Sequence, residues 1–153
     1  MRRRRFLGAL APGLAAILLG CDSAPQDPLA GVAGAPVGTG RLYVYRENNF
    51  YDALVWTAIS LNGVAVGSAA PGSVFYRDVA PGTYRIEARS DQLYPDQAKT
   101  VVVEPGATVF VRIAVAASYG KSRLQWQGNT FVVQIVDPAV ARIQMSRLEL
   151  TRG

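Results

Sequence analysis

Thr83-Tyr84-Arg85-Ile86-Glu87-Ala88-Arg89 decides how the rest of this chain is read. Tyr84, Ile86 and Ala88 fall on one side of an extended segment, and Arg85, Glu87 and Arg89 fall on the other. That period of two is the pattern of an antiparallel strand with one face on a core and one in water. The strand is preceded by Ala80-Pro81-Gly82, a turn signal, and before that by Ser73-Val-Phe-Tyr-Arg-Asp-Val79, a second apolar segment of strand length. A Pro-Gly turn recurs at Pro105-Gly106, between Lys99-Thr-Val-Val-Val-Glu104 and Ala107-Thr-Val-Phe-Val-Arg-Ile-Ala-Val115.

Upstream, Arg41-Leu-Tyr-Val-Tyr-Arg46 alternates aliphatic with aromatic residues, and Leu54-Val-Trp-Thr-Ala-Ile-Ser-Leu61 runs into Asn62-Gly63. That dipeptide accepts the positive φ angles of a type I′ turn, so Val64-Ala-Val66 is expected to return as the partner strand, with Gly67 to Gly72 as a loop. Downstream, Thr130-Phe-Val-Val-Gln-Ile-Val136 is a last strand. Asp137-Pro138 suits a helix start, with Asp137 as N-cap and proline at the first helical position. Val140, Ile143 and Arg147 would then share a face; Ile143, Met145, Leu148 and Leu150 fit a strand nearly as well, and both readings stay open for 138–148. About seven short strands with regular turn signals predict an all-β, antiparallel β-sandwich over 41–153, with a closed barrel as the lesser alternative.

The beginning of the chain is of another character. Arg2 to Arg5 form a basic head, and Phe6 to Gly20 are fifteen residues without charge, including Pro12. A transmembrane helix needs about 20 apolar residues, so the pattern reads as an export signal. Leu18-Leu19-Gly20-Cys21 resembles the lipobox of bacterial lipoproteins, which implies cleavage between Gly20 and Cys21 and a diacylglyceryl group on the Cys21 sulfur. Residues 1–20 are then a lipoprotein signal and 21–40 a lipidated cysteine with a flexible linker, rich in proline and glycine. An ordered arm lying on the domain near Val37 is the alternative for its last part. Arg3-Arg4-Arg5-Phe6-Leu7 is similar to the twin-arginine export motif, and the general secretion route stays equally open. Location in the cell envelope follows, anchored to a bacterial membrane with the folded domain on the periplasmic side. Asp22 follows the lipid cysteine, a residue that in some enteric bacteria favours the inner membrane; inner and outer membrane both remain open.

The formal net charge of +5 belongs mostly to this head: removing Arg2 to Arg5 takes the basic count from 16 to 12, against 11 acidic residues. No basic stripe with interleaved aromatics remains, and nucleic acid is excluded as an expected partner. Cys21 is the only cysteine, so no disulfide is expected and stability must come from an apolar core.

The segment from Arg41 to Gly106 resembles the DUF2846 family of bacterial lipoproteins and, more distantly, PEGA-like and transthyretin-like sandwich domains. The matching features are the Leu42 to Arg46 first strand, the Asn62-Gly63 hairpin and the Pro81-Gly82 strand start. The family has no established activity, so the resemblance implies a fold and no chemistry.

The chain contains no histidine, which removes the commonest general base and metal ligand together. Its two lysines, Lys99 and Lys121, lack an S-x-x-K context, and Asp91 and Asp96 sit in a loop without the spacing of a calcium site. No enzyme activity, cofactor or metal is expected. The candidate binding surface is instead a set of loop aromatics, Phe50, Tyr51, Tyr94, Tyr119 and Trp126, whose competing role is to plug the open ends of the core. The expected function is a non-catalytic interaction or structural module, moored by its lipid and facing an envelope protein or cell-wall component. A periplasmic small-ligand carrier is the alternative.

Overall fold

Asn62 and Gly63 adopt φ of 50° and 82°, both left-handed, so the hairpin turns as this dipeptide predicts. The computed structural model describes residues 27–48, 54–91, 96–115 and 130–152. In chain order these form β1 (Gly40–Arg46), β2 (Thr57–Leu61), β3 (Val64–Ala69), β4 (Ser73–Val79), β5 (Gly82–Ala88), β6 (Ala98–Val103), β7 (Thr108–Val115), β8 (Phe131–Val136), α1 (Pro138–Met145) and β9 (Glu149–Leu150).

The strands make two sheets, one of order β8-β7-β1-β4-β9 and one of order β3-β2-β5-β6. Leu42, Val44, Phe75, Val111, Ile113, Phe131 and Val133 from the first meet Ile59, Leu61, Ile86, Ala88, Val101 and Val103 from the second in one buried cluster. This is the all-β sandwich expected from the alternation. The deciding strand behaves as read, with Ile86 and Ala88 buried and Arg85 and Glu87 exposed.

The four-stranded sheet is antiparallel throughout. The five-stranded sheet departs from that expectation in two places, where β1 runs parallel to β7 and β4 parallel to β9. A parallel pair needs a long crossover, and β2 to β6 supply it for β1 and β7. Two boundaries also shift. The second strand begins at Thr57 rather than Leu54, and β3 runs on through Gly67 to Ala69, with a register break between Ile59 and Ser60.

The outer face of the five-stranded sheet carries a second apolar cluster. Tyr43, Tyr45, Val74 and Phe110 from the sheet pack with Ala141 and Met145 of α1, joined by Leu29 and Leu148. Asp137 caps the helix by accepting from Ala139 N at 2.9 Å, with proline in the first turn. Its buried side chains are Ala141 and Met145, four residues apart; Val140 and Ile143 lie on the solvent side. The tail then returns as β9, which accounts for the strand-like pattern at Leu148 and Leu150.

Leu29 and Ala33, counted above in the linker, lie against this same outer face, and Thr39 bonds to the β6–β7 turn. Leu29 reaches the second cluster, the Arg41 guanidinium donates to Ala33 O, and Gly106 N donates to Thr39 O at 2.8 Å. Val37, where an arm was considered, is fully exposed; the contacts run through Leu29 and Ala33.

Candidate functional site

Register places three strand-to-strand connections at one end of the sandwich. In the five-stranded sheet, Arg46 at the end of β1 lies opposite Ser73, and Val115 at the end of β7 lies opposite Phe131. In the other sheet, Thr57 begins β2 beside Ala69, while Glu87 near the end of β5 pairs with Ala98 at the start of β6. The two sheets are laced together there, where Phe131 N donates to Ser90 Oγ at 2.9 Å and Val133 N to Asp96 O at 2.8 Å, while Thr57 Oγ1 donates to Arg89 O at 2.6 Å within the four-stranded sheet. The strand ends that border residues 49–53, 92–95 and 116–129 therefore gather at one end. Gly40, where the arm joins the sheet, lies at the other, beside Val79.

Arg46 fixes the geometry of this end. Alternation along β1 places Leu42, Val44 and Arg46 on the inner face, so the strand delivers a guanidinium to the mouth of an apolar core. A buried charge is tolerated only when hydrogen-bonded. Here it donates to Val55 O at 2.5 Å and Ala69 O at 3.3 Å, and it lies 4.8 Å from the Phe131 ring centroid, within cation–π range. One cation thereby joins both sheets at this end of the core.

Two large apolar side chains stand out of this end. Leu54 is 93 % exposed and Trp56 is 69 % exposed. Sequence reading placed both inside a strand. The signal that could have found Trp56 is the inward set Thr57, Ile59 and Leu61, which assigns Trp56 to the outward set with Ala58 and Ser60. Phe50, Tyr51, Tyr94, Tyr119 and Trp126, with Gly20 and Cys21, lie outside the described residues. What the structure supplies for the five aromatics is the common end from which their segments depart.

Two polar clusters lie elsewhere. On the outer face, Glu47 and Arg112 pair at 2.6 Å, and Tyr45 donates to Gln144 Oε1 at 2.5 Å. Burial pushes the Tyr45 phenol up to about 12, with Arg112 opposing and Glu47 adding to the shift. At the end where the arm joins, Arg41 and Asp78 form an ion pair whose hydrogen bonds hold the Asp78 carboxyl below its ordinary range and keep Arg41 charged. Both clusters join strand to helix or strand to arm. Among the described residues no three His, Cys, Asp or Glu side chains gather as a metal site, and no helix is long and apolar enough to cross a membrane.

Comparison with known proteins gives a family and no activity. No curated protein matches the chain. A family model described as "Protein of unknown function (DUF2846)" matches residues 36–125, from the last part of the arm through β7. This match covers more than half of the 153 residues and takes in the whole four-stranded sheet and β1, β4 and β7 of the other, β8 and β9 lying beyond it: the chain belongs to the DUF2846 family.

Proposed function

We propose that this protein is a lipid-anchored module of the bacterial cell envelope that binds a protein or wall component without catalysing a reaction. The mooring rests on the Arg2 to Arg5 head, the uncharged run to Gly20 and the lipobox-like Leu18 to Cys21. Recognition falls to the end of the sandwich remote from the arm. The observation that carries it is the exposure of Leu54 and Trp56 there: large apolar side chains in water mark interaction surfaces when they adjoin one another, and tryptophan is enriched among residues that dominate binding energy. The buried Arg46 gives the surface a rigid base. The five loop aromatics named from sequence would extend it. Filling of the space between the sheets by Leu42, Phe75, Ile86, Ile113 and Phe131 favours this reading over a carrier with an internal cavity.

The test is a photo-crosslinking amino acid placed at position 56 in cells, with position 83 on the outer face of the four-stranded sheet as control. A discrete crosslinked product from 56 and none from 83 supports recognition at this end; identical patterns from both positions refute it. Mass spectrometry of the amino-terminal peptide reads the mooring separately, since an unmodified Cys21 with its leader attached overturns it.

A further inference from the structure

The helix α1 turns an apolar side to solvent as well as to the sheet. Ala141 and Met145 are buried, yet Ile143 is 75 % exposed and Val140, one turn before it, 47 %. Arg142 and Arg147, both exposed, adjoin them. Aliphatic side chains between arginines whose stems are apolar and whose heads stay in water are the composition of a surface that lies in a headgroup layer. The helix also occupies a particular place relative to the chain's beginning. Leu29 packs into the same cluster as Ala141 and Met145, so the arm starts on the helix side of the five-stranded sheet. From Cys21 to Asp27 is six residues, which span at most about 20 Å when extended. A helix with its side chains is about 10–12 Å across, and the four-stranded sheet lies a further layer away. A bilayer holding Cys21 is thus within reach of α1 and not of the opposite face.

We propose that the solvent face of α1, centred on Val140 and Ile143 and flanked by Arg142 and Arg147, rests on the anionic bilayer that holds the anchor. This lays the sandwich flat and leaves the Trp56 end free at the side. The inference rests on the lipid mooring proposed above.

The test uses the full-length lipidated protein in vesicles containing phosphatidylglycerol, with a nitroxide attached at position 143 in an I143C variant and at position 83 in a T83C variant. Lipidation consumes the Cys21 sulfur, so each variant takes one label. The expected result is that the label at 143 collides more often with oxygen and several-fold less with an aqueous nickel chelate than the label at 83. Replacing Arg142 and Arg147 by glutamate should return 143 to the accessibility of 83. Equal nickel accessibility at the two positions, with one label per chain, overturns the proposal alone. Spin–spin broadening at 143 without loss of nickel accessibility means that a second copy covers the face and overturns it too. Two labels per chain mean an unmodified Cys21, which removes the mooring and this proposal together.

Discussion

Arg41 and Asp78 face each other directly across the antiparallel β1–β4 ladder and close a two-pronged ion pair, Nε to Oδ1 at 2.6 Å and Nη2 to Oδ2 at 2.8 Å. The same guanidinium lies 4.1 Å from the Tyr76 ring centroid and donates to Ala33 O. One cation therefore joins two strands to the arm, and removing its partner leaves it buried and uncompensated. Asp78→Asn should cost about 2 kcal/mol in urea unfolding, less than the ~3–5 kcal/mol of a fully buried pair, because the Asp78 side chain keeps 23 % exposure. Thermolysin should also cut the arm at Leu29 faster. The sign of the pH effect follows from the lowered Asp78 pKa. The unfolded chain takes up this proton first, so the stabilisation is present above the ordinary aspartate value of about 3.9 and is lost as pH falls through the folded value. Below that ordinary value the wild type should lose stability more steeply than Asp78→Asn; parallel pH profiles would sink the assignment.

Tyr45 titrates in the opposite sense. Its folded pKa is raised to about 12 from an ordinary value of about 10, so its contribution is complete below the lower value and is lost as pH rises through the higher. Tyr45→Phe removes the bond to Gln144 and should lower stability by about 1 kcal/mol at neutral pH. Between the two pKa values the gap between wild type and variant should narrow, as measured by urea midpoints.

Gly40 is fixed by its neighbours rather than by its φ angle. A Cβ there would stand 2.2 Å from Val103 Cγ1 and 2.9 Å from Glu104 O. Gly40→Ala must push β1 away from the β6–β7 turn, at about 1–3 kcal/mol. A thermal melt unchanged by this substitution would show that the two sheets are not so closely apposed.

Trp56→Ala separates recognition from folding. The side chain is mostly in water, so stability should change by no more than about 0.5 kcal/mol, while crosslinking from position 54 to the partner should disappear. Persistence of the crosslink would move recognition away from this residue.

Much of the fold was legible because strands such as β5 carry one wet face. Ile86 and Ala88 against Arg85 and Glu87, and Asn62-Gly63 between two apolar runs, are local signals that local physics decides. The parallel pairing of β1 with β7 left no such mark, because both strands of that central pair are covered on two sides. Tyr43 and Tyr45 alternate with Leu42 and Val44, but a period of two does not say what covers the second face, and both tyrosines are buried with α1 and Leu29. The site was less legible still. Arg46 closes the first strand like any charged strand end, and only the tertiary meeting of Val55, Ala69 and Phe131 makes it the closure of the core. Trp56 could be assigned to the outer face by parity, but its exposure depends on what covers that face.

The pairing of β1 with β7 also sets an order of events in synthesis. Residues 40–46 are made early, but one of their two flanking strands ends only at Val115. Contacts so distant in sequence slow folding, and until they form, the middle of the five-stranded sheet offers an unpaired backbone edge to any neighbouring chain. A nascent chain is therefore adhesive at β1 until β7 is made, and a holding chaperone that releases it only after the seventh strand has emerged should raise its yield.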